Sequence, residues 1–429
     1  MRTATLAYLI TLSLVLAACG DTETSSGTTT TSTGGSGGTT SAGGEGGSDT
    51  LVCDAPFLTK GPWSLAIDAT HAKIRWEACS PDATPGIHFQ KESGGAEQSA
   101  PSTAKPITLA TTYKAALNPS AAPDYAGTYY THEAALEGLE PGACYAYSLD
   151  ADATRTGRFC TARPTGQDVR FLAIGDTNPG LGHTAGVLAN VLPEKPEFTL
   201  HGGDIEYYDS GLETWASWFP VMEPMLAAGA FFPAIGNHES EKSSELSDYA
   251  LRFFGGAGFD GGETYYRFEN AGVHFFSLNT QDAIGQGSAQ SIWLEARLAE
   301  AEQTPGFRFS IVFFHRPLVT CGDTDDNPAA RAYLEPIFLA HHVPIVLAAH
   351  MHGYERFEMD NGLTYVTTAG GGGLMGDVDK NVARDYCDKR AASAPAFHGV
   401  IFDVTTGKLS GKVIDEKGMI VDTFSKDVP

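Results

Sequence analysis

Five clusters of Asp, Asn, Tyr and His punctuate residues 175–352 of this 429-residue chain, each directly after a short apolar run. Gly175-Asp176-Thr177-Asn178 follows residues 169–174, and His201-Gly202-Gly203-Asp204-Ile205-Glu206-Tyr207 follows the run at 198–200. Gly236-Asn237-His238-Glu239 follows 231–235, His315 follows 309–314, and His350-Met351-His352 follows 343–349. These side chains are metal donors. A carboxylate can bridge two cations, neutral amide and imidazole suit a divalent ion, and a phenolate favours a hard trivalent one. Singly, each cluster is weak: Gly-Asp after a strand is often a turn with a capping Asp, and a lone His is commonly structural. His350 and His352 are more pointed, because extended chain aims residues i and i+2 to one side. The set and its order carry the argument.

The elements that must position them are legible in outline. From about Asp168, short buried runs alternate with amphipathic stretches at 184–192, 213–227, 292–301 and 330–340, the pattern of a layered α/β domain. Sites in such sheets assemble beyond the carboxyl ends of the strands, so five strand ends deliver donors to one edge. Upstream, from about Pro56 to Arg163, strand-like stretches at 63–67, 72–76 and 144–149 between Pro- and Gly-rich turns predict a β-sandwich. It carries no catalytic constellation. His71, His88 and His132 read as surface or strand residues, His201, His274 and His398 as strand residues, and His183 as a candidate for the site mouth.

Composition bounds the partners. With 28 Lys and Arg against 52 Asp and Glu, the net charge of −24 argues against binding nucleic acid or anionic membranes by charge. A phosphate site must then supply positive charge locally, as bound metal ions do. The N-terminus reads as an export signal, with Arg2 ahead of an apolar run from Ala4 to Leu16. Thr22 to Thr50, nearly all Thr, Ser and Gly, reads as a flexible tether. Beyond Cys19, six cysteines in an exported chain predict disulfides. Cys144 and Cys160 flank a hairpin, and proximity suggests Cys53 with Cys79 and Cys321 with Cys387. No C-x-x-C pair argues for a cysteine-ligated zinc.

Leu16-Ala17-Ala18-Cys19 resembles the lipobox of bacterial lipoproteins, which implies a lipidated Cys19 as the one membrane attachment and an exported protein at the cell envelope, in the outer membrane. The five ordered clusters resemble those of calcineurin-like metallophosphoesterases. Gly203-Asp204-Ile205-Glu206-Tyr207, and Glu355-Arg356 after the last cluster, resemble the purple acid phosphatase branch. Residues 132–147 resemble a fibronectin type III module, and Thr364 to Gly373 the strand and Gly-rich loop that follow the ligands in that branch. The resemblance implies an α/β fold, a four-layer αββα metallophosphoesterase sandwich, behind an N-terminal all-β fibronectin III-like sandwich. The implied division is 1–18 signal peptide, 19–52 tether, 53–165 sandwich and 166–429 phosphoesterase domain.

By motif, Asp176, Asp204, Tyr207 and His352 would hold an Fe(III), and Asp204 would bridge to a divalent Zn, Fe or Mn held by Asn237, His315 and His350. Asp204 and His238 are the catalytic assignments, His238 for phosphate binding or leaving-group protonation. The implied activity is that of an acid phosphatase: phosphate monoesters cleaved by in-line attack of a metal-bound hydroxide between ions about 3.5 Å apart. The alternatives are a phosphodiesterase or nucleotidase on the same site, or a non-catalytic surface binding protein. Three departures stand out. Ala349 replaces the family's Gly, Asn178 stands where relatives outside the purple branch carry a ligand His, and the histidine pair that plant enzymes carry after the lone His is missing. Arg316 occupies that stretch as either a phosphate contact or a surface ion pair, and is left outside the catalytic set.

Overall fold

Alternating side chains build the α/β part. Along Val169–Ile174, Phe171 enters one core while Leu172 and Ile174 enter another, as expected of a strand covered on both faces. Val273–Ser277 divides Phe275 from Phe276 in the same way, and Phe309–Phe313 divides Ile311 from Val312. The computed structural model describes residues 50–429 apart from 56, 83, 84, 209, 241–249 and 259. The expected signal, Cys19 and nearly all of the tether lie outside the described residues. Thr50 and Leu51 already pair with Ala126, so the packed unit has begun by that point.

Among the described residues, one sheet orders Ala230–Pro233, Phe198–His201, Val169–Ile174, His398–Thr405, Lys408–Asp415 and Ile420–Asp427. A second orders Asp260–Gly261, Tyr266–Asn270, Val273–Ser277, Phe309–Phe313, Ile345–Ala348, Thr364–Thr368, Tyr354–Glu358 and Arg390–Ala394. The strands that lead to the donor clusters pair in parallel. Phenylalanines interlock the facing sides: Phe171 lies 5.2 Å from Phe198 in its own sheet and 5.5 Å from Phe275 in the other.

Helices cover the outer faces. His183–Val191 and Trp215–Ala228 bring Val187, Leu188, Trp218 and Met222 against Leu172 and Ile174. Ala289–Ala301 and Pro328–Ala340 bring Leu294, Leu298, Leu334 and Phe338 against Phe276, Val312 and Val346. Helix, sheet, sheet and helix therefore stack in that order. Side-chain caps set the helix starts: Thr214 in a capping box with Ser217, Ser288 on Ser291 and Asn327 on Ala330. That is why the second helix begins at Trp215 rather than 213, and the third at Ala289 rather than 292.

The upstream strands form a seven-stranded β-unit, from Leu58–Leu65 to Thr156–Cys160. Its long strand Gln98–Leu109 pairs with Gly86–Lys91 through its first residues and with Gly127–Leu136 through its last. The sheet thereby folds over a core of Ile74, Trp76, Phe89, Tyr147 and Phe159. The first strand stops at Leu65, not Ile67, because Ala66 turns into positive φ (48°). Disulfides join Cys53–Cys79, Cys144–Cys160 and Cys321–Cys387, the pairings expected from proximity.

This β-unit packs on the α/β part within one compact body. The Trp63 indole N–H donates to the Phe253 carbonyl at 3.1 Å. Lys60 Nζ, buried, lies 2.6 Å from Glu77 and 3.6 Å from Asp124. Asp124 accepts the Trp215 and Ala216 N–H groups at 2.8 and 3.1 Å, capping the helix that follows the Asp204 loop. No described helix is long and apolar enough to cross a membrane.

Candidate metal centre

Each donor leaves the carboxyl end of a parallel strand. Asp176 follows Val169–Ile174, Asp204 and Tyr207 follow Phe198–His201, Asn237 follows Ala230–Pro233, His315 follows Phe309–Phe313, and His350 and His352 follow Ile345–Ala348. The strand before Asn237 ends at Pro233, two residues earlier than its apolar run suggests, so three residues carry the chain across to Asn237. Asp176, Asp204 and His350 sit at φ of 59°, 51° and 69°, the left-handed region. Such a conformation costs a non-glycine residue about 1–3 kcal/mol and clusters at functional sites.

Buried partners hold that backbone. The Glu239 carboxylate accepts the N–H of Asp204 at 3.0 Å, of Ile205 at 2.7 Å and of Gly236 at 2.7 Å. Burial and the Asp204 charge push its pKa up to about 8, against the pull of those N–H groups. Glu213 accepts the Tyr207 N–H at 3.0 Å and is likewise pushed up to about 8 by burial. Gly236 passes so close to Asp204 that an added Cβ would stand 2.1 Å from Oδ1. The Gly-rich loop closes over the other side, with Gly371 and Gly373 donating to the Gly175 and Asp176 carbonyls at 2.9 Å.

Two groups of donors result, and they share Asp204. Asp176, Asp204 and His352 form one, and Asp204, His315 and His350 the other, with the donor atoms of each group within 4.8 Å of one another. Tyr207 Oη joins the first, 3.2 Å from Asp176 Oδ1 and 3.0 Å from His352 Nε2. Asn237 Oδ1 joins the second, 3.1 Å from His315 Nε2. His315 Nδ1 donates to the Gly202 carbonyl at 3.0 Å, and His352 Nδ1 to the Leu374 carbonyl at 2.5 Å. In the neutral ring each Nε2 is then a lone pair aimed at oxygen lone pairs, 3.1 Å from Asp204 and 3.1 Å from Asp176 respectively. Such crowding of acceptors fits a cation between them, and the carbonyls fix the imidazoles as ligand partners do elsewhere.

Electrostatics agree. Without a cation, burial opposes charge on His315 and His352, yet Asp204 and Asp176 hold their pKa values up at about 9. The protons occupy the place of positive charge. Burial and then His315 push His350 down to about 3, a neutral ligand. Burial alone would raise Asp204, but His315 and His238 hold it well below the usual carboxylate range. Burial and the Asp176 and Asp204 charges push the Tyr207 phenol well up, so a phenolate there requires a strongly polarising cation.

The remaining sequence candidates separate. His238 donates its backbone N–H to Asp204 Oδ1 at 2.9 Å and places its ring 4.0 Å from that of Tyr207. His183 pairs with Glu416 at 2.7 Å and stacks on Phe397 at 3.7 Å, outside both donor groups. His201 is buried against Thr177, and His398 stands in its expected strand. Glu355 and Arg356 are structural: Glu355 accepts from Thr320 and Cys321, and Arg356 pairs with Asp422 at 2.8 Å. Arg316 is the residue that sequence reasoning left out. Its Nη1 lies 3.0 Å from His350 Nε2 and its Nη2 3.4 Å from Asn237 Oδ1. The signal available was its position next to His315.

Comparison with known proteins agrees with this geometry. Residues 169–354 match the family model of calcineurin-like phosphoesterases. Purple acid phosphatase 18 of Arabidopsis thaliana is 27% identical over 276 residues, 60% of each chain. A purple acid phosphatase of Glycine max is 25% identical over 64% of this chain and 67% of its own. The chain thus spans about 60% of the length of the first of these relatives. Among solved structures, a purple acid phosphatase from yellow lupin (Lupinus luteus) seeds shares the fold with a TM-score of 0.68 at 18% identity, over 86% of this chain and 75% of that one. The matched segment, 169–354, takes in every donor, and purple acid phosphatases are among the proteins the chain resembles.

Proposed function

We propose that this protein is a purple acid phosphatase-like enzyme that hydrolyses phosphate monoesters at a pair of metal ions. The carrying observation is the Asp204 carboxylate, common to two buried donor groups. A phenol beside Asp176 and His352 suits Fe(III), and an amide with two imidazoles suits a divalent Zn, Fe or Mn. When bound, such a pair supplies Lewis acidity to the phosphoryl oxygens and a nucleophile at neutral pH.

The protein does the rest. Glu239 and Glu213 hold the backbone from Asp204 to Tyr207. The Gly202 and Leu374 carbonyls fix the rings of His315 and His352. Asp204 orients His238 through its backbone N–H, and His238 is assigned to phosphate contact or leaving-group protonation. Upstream, the β-unit is read as a fibronectin III-like module of 53–165 ahead of a phosphoesterase domain of 166–429. Cys19 is read as the lipid-anchored first residue of an exported, outer-membrane protein, and loss of acyl labelling in Cys19→Ala tests that assignment.

Metal analysis with a visible spectrum tests the centre. The expected result is iron and a phenolate-to-iron band that vanishes in Tyr207→Phe. Zinc or manganese alone, with no colour, would move the protein to the wider metallophosphoesterase family.

A further inference from the structure

His350 presents Nδ1 to His315 Nε2 and Nε2 to Arg316 Nη1, both at 3.0 Å. A neutral imidazole carries a single N–H. Once Nδ1 gives its lone pair to a cation, the proton stands on Nε2, facing another donor. Asn237 Oδ1, 3.4 Å from Arg316 Nη2, would be taken by the same cation. Loading the centre therefore withdraws two acceptors from the guanidinium and leaves Gln281 Oε1, 3.4 Å from its Nε. The root of the side chain stays in place, because the Arg316 N–H donates to Thr280 Oγ1 at 2.9 Å. Both Nη groups then face the centre with N–H donors to spare. Beside them the buried Gln281 Nε2 has no protein partner among the described residues.

Counting oxygens decides what they bind. A phosphate monoester has three terminal oxygens and a diester has two. If each cation takes one, only the monoester keeps a third. We propose that Arg316, aligned by Gln281, binds this third terminal oxygen and so selects dianionic monoesters over diesters. The proposal rests on the monoesterase reading above and adds the residue that enforces its preference for monoesters. In a chain of net charge −24, this guanidinium also supplies the local positive field that an incoming dianion requires. A forked guanidinium suits that oxygen.

The test compares wild type, Arg316→Met and Arg316→Lys, each metal-loaded and assayed for metal content. Inorganic phosphate is titrated calorimetrically, and kcat/KM is measured on 4-nitrophenyl phosphate and bis(4-nitrophenyl) phosphate. In Arg316→Met, phosphate binding should weaken about 10- to 100-fold, the range for a charge-assisted hydrogen bond. The monoester-to-diester ratio of kcat/KM should fall by about tenfold or more. Metal content should match wild type, and Arg316→Lys should recover part of the phosphate affinity. Unchanged phosphate affinity together with an unchanged ratio would overturn the proposal. Metal loss in both variants would also overturn it, by making Arg316 a prop for Asn237 and His350. A wild type that cleaves neither ester would sink the phosphoesterase reading, while the phosphate titration would still decide the role of Arg316.

Discussion

Lys60→Met at the junction between the β-unit and the α/β part isolates one buried charge. Lys60 Nζ stands 2.6 Å from Glu77 and 3.6 Å from Asp124, and all three side chains are buried. Met keeps most of the volume and removes the cation, leaving two carboxylates facing each other out of water. Breaking a buried pair from one side costs about 3–5 kcal/mol. At about 2 °C per kcal/mol for a chain of this size, Tm should fall by roughly 6–10 °C. The loss should depend on pH in a defined direction. Burial first, then the Glu77 charge, push Asp124 up to about 6 despite Lys60. An unfolded Asp titrates near 4, so the folded state binds this proton more tightly. The stability it confers is complete below about pH 4 and is lost as pH rises through about 6. Without Lys60 that upper limit moves higher, and the deficit against wild type should be small at pH 4.5 and largest at pH 8. Scanning calorimetry at both values measures it, and Glu77→Gln added to the variant should restore part of the loss at pH 8. An equal deficit at the two pH values, or none at pH 8, would refute this account of the triad.

The centre itself is open to four further perturbations. Gly236→Ala puts a Cβ 2.1 Å from Asp204 Oδ1, so metal analysis should show fewer ions per chain than in wild type. Glu239→Gln turns an acceptor for three N–H groups into a partial donor, at about 2–4 kcal/mol by denaturant titration. The same change should weaken metal affinity about 10- to 100-fold. Asp204→Ala or Asn237→Ala should abolish turnover and leave the far-ultraviolet circular dichroism unchanged. Chelation should lower Tm, since ions held about 1,000-fold above their Kd contribute about 4 kcal/mol to the folded state.

The donor set was legible because its residues follow apolar runs whose ends are easy to see. Val169–Ile174 and Cys144–Leu149 have the boundaries that the sequence suggests. The four helices start or end within three residues of expectation, and their caps account for the shifts at Trp215 and Ala289. Other parts depend on partners far away in the chain. His398–Thr405 is a central strand because it pairs with Val169–Ile174, more than two hundred residues earlier, and nothing local announces that register. Arg316 carried no motif of its own. Only the approach of Thr280 and Gln281 fixes it beside His350. Glu239 belonged to a recognised cluster, but its grip on three N–H groups follows from how Gly236 and Asp204 converge, which spacing alone does not reveal.

Asp176, Asp204, Tyr207 and Asn237 rise from one sheet, whereas His315, His350 and His352 rise from the other. Neither sheet supplies a complete donor group. The relative slide of the two layers thus becomes a coordinate of the chemistry, and the aromatic seam of Phe171, Phe198 and Phe275 sets where that slide comes to rest. Repacking the seam would retune the spacing between the two donor groups from deep inside the protein, with no donor altered.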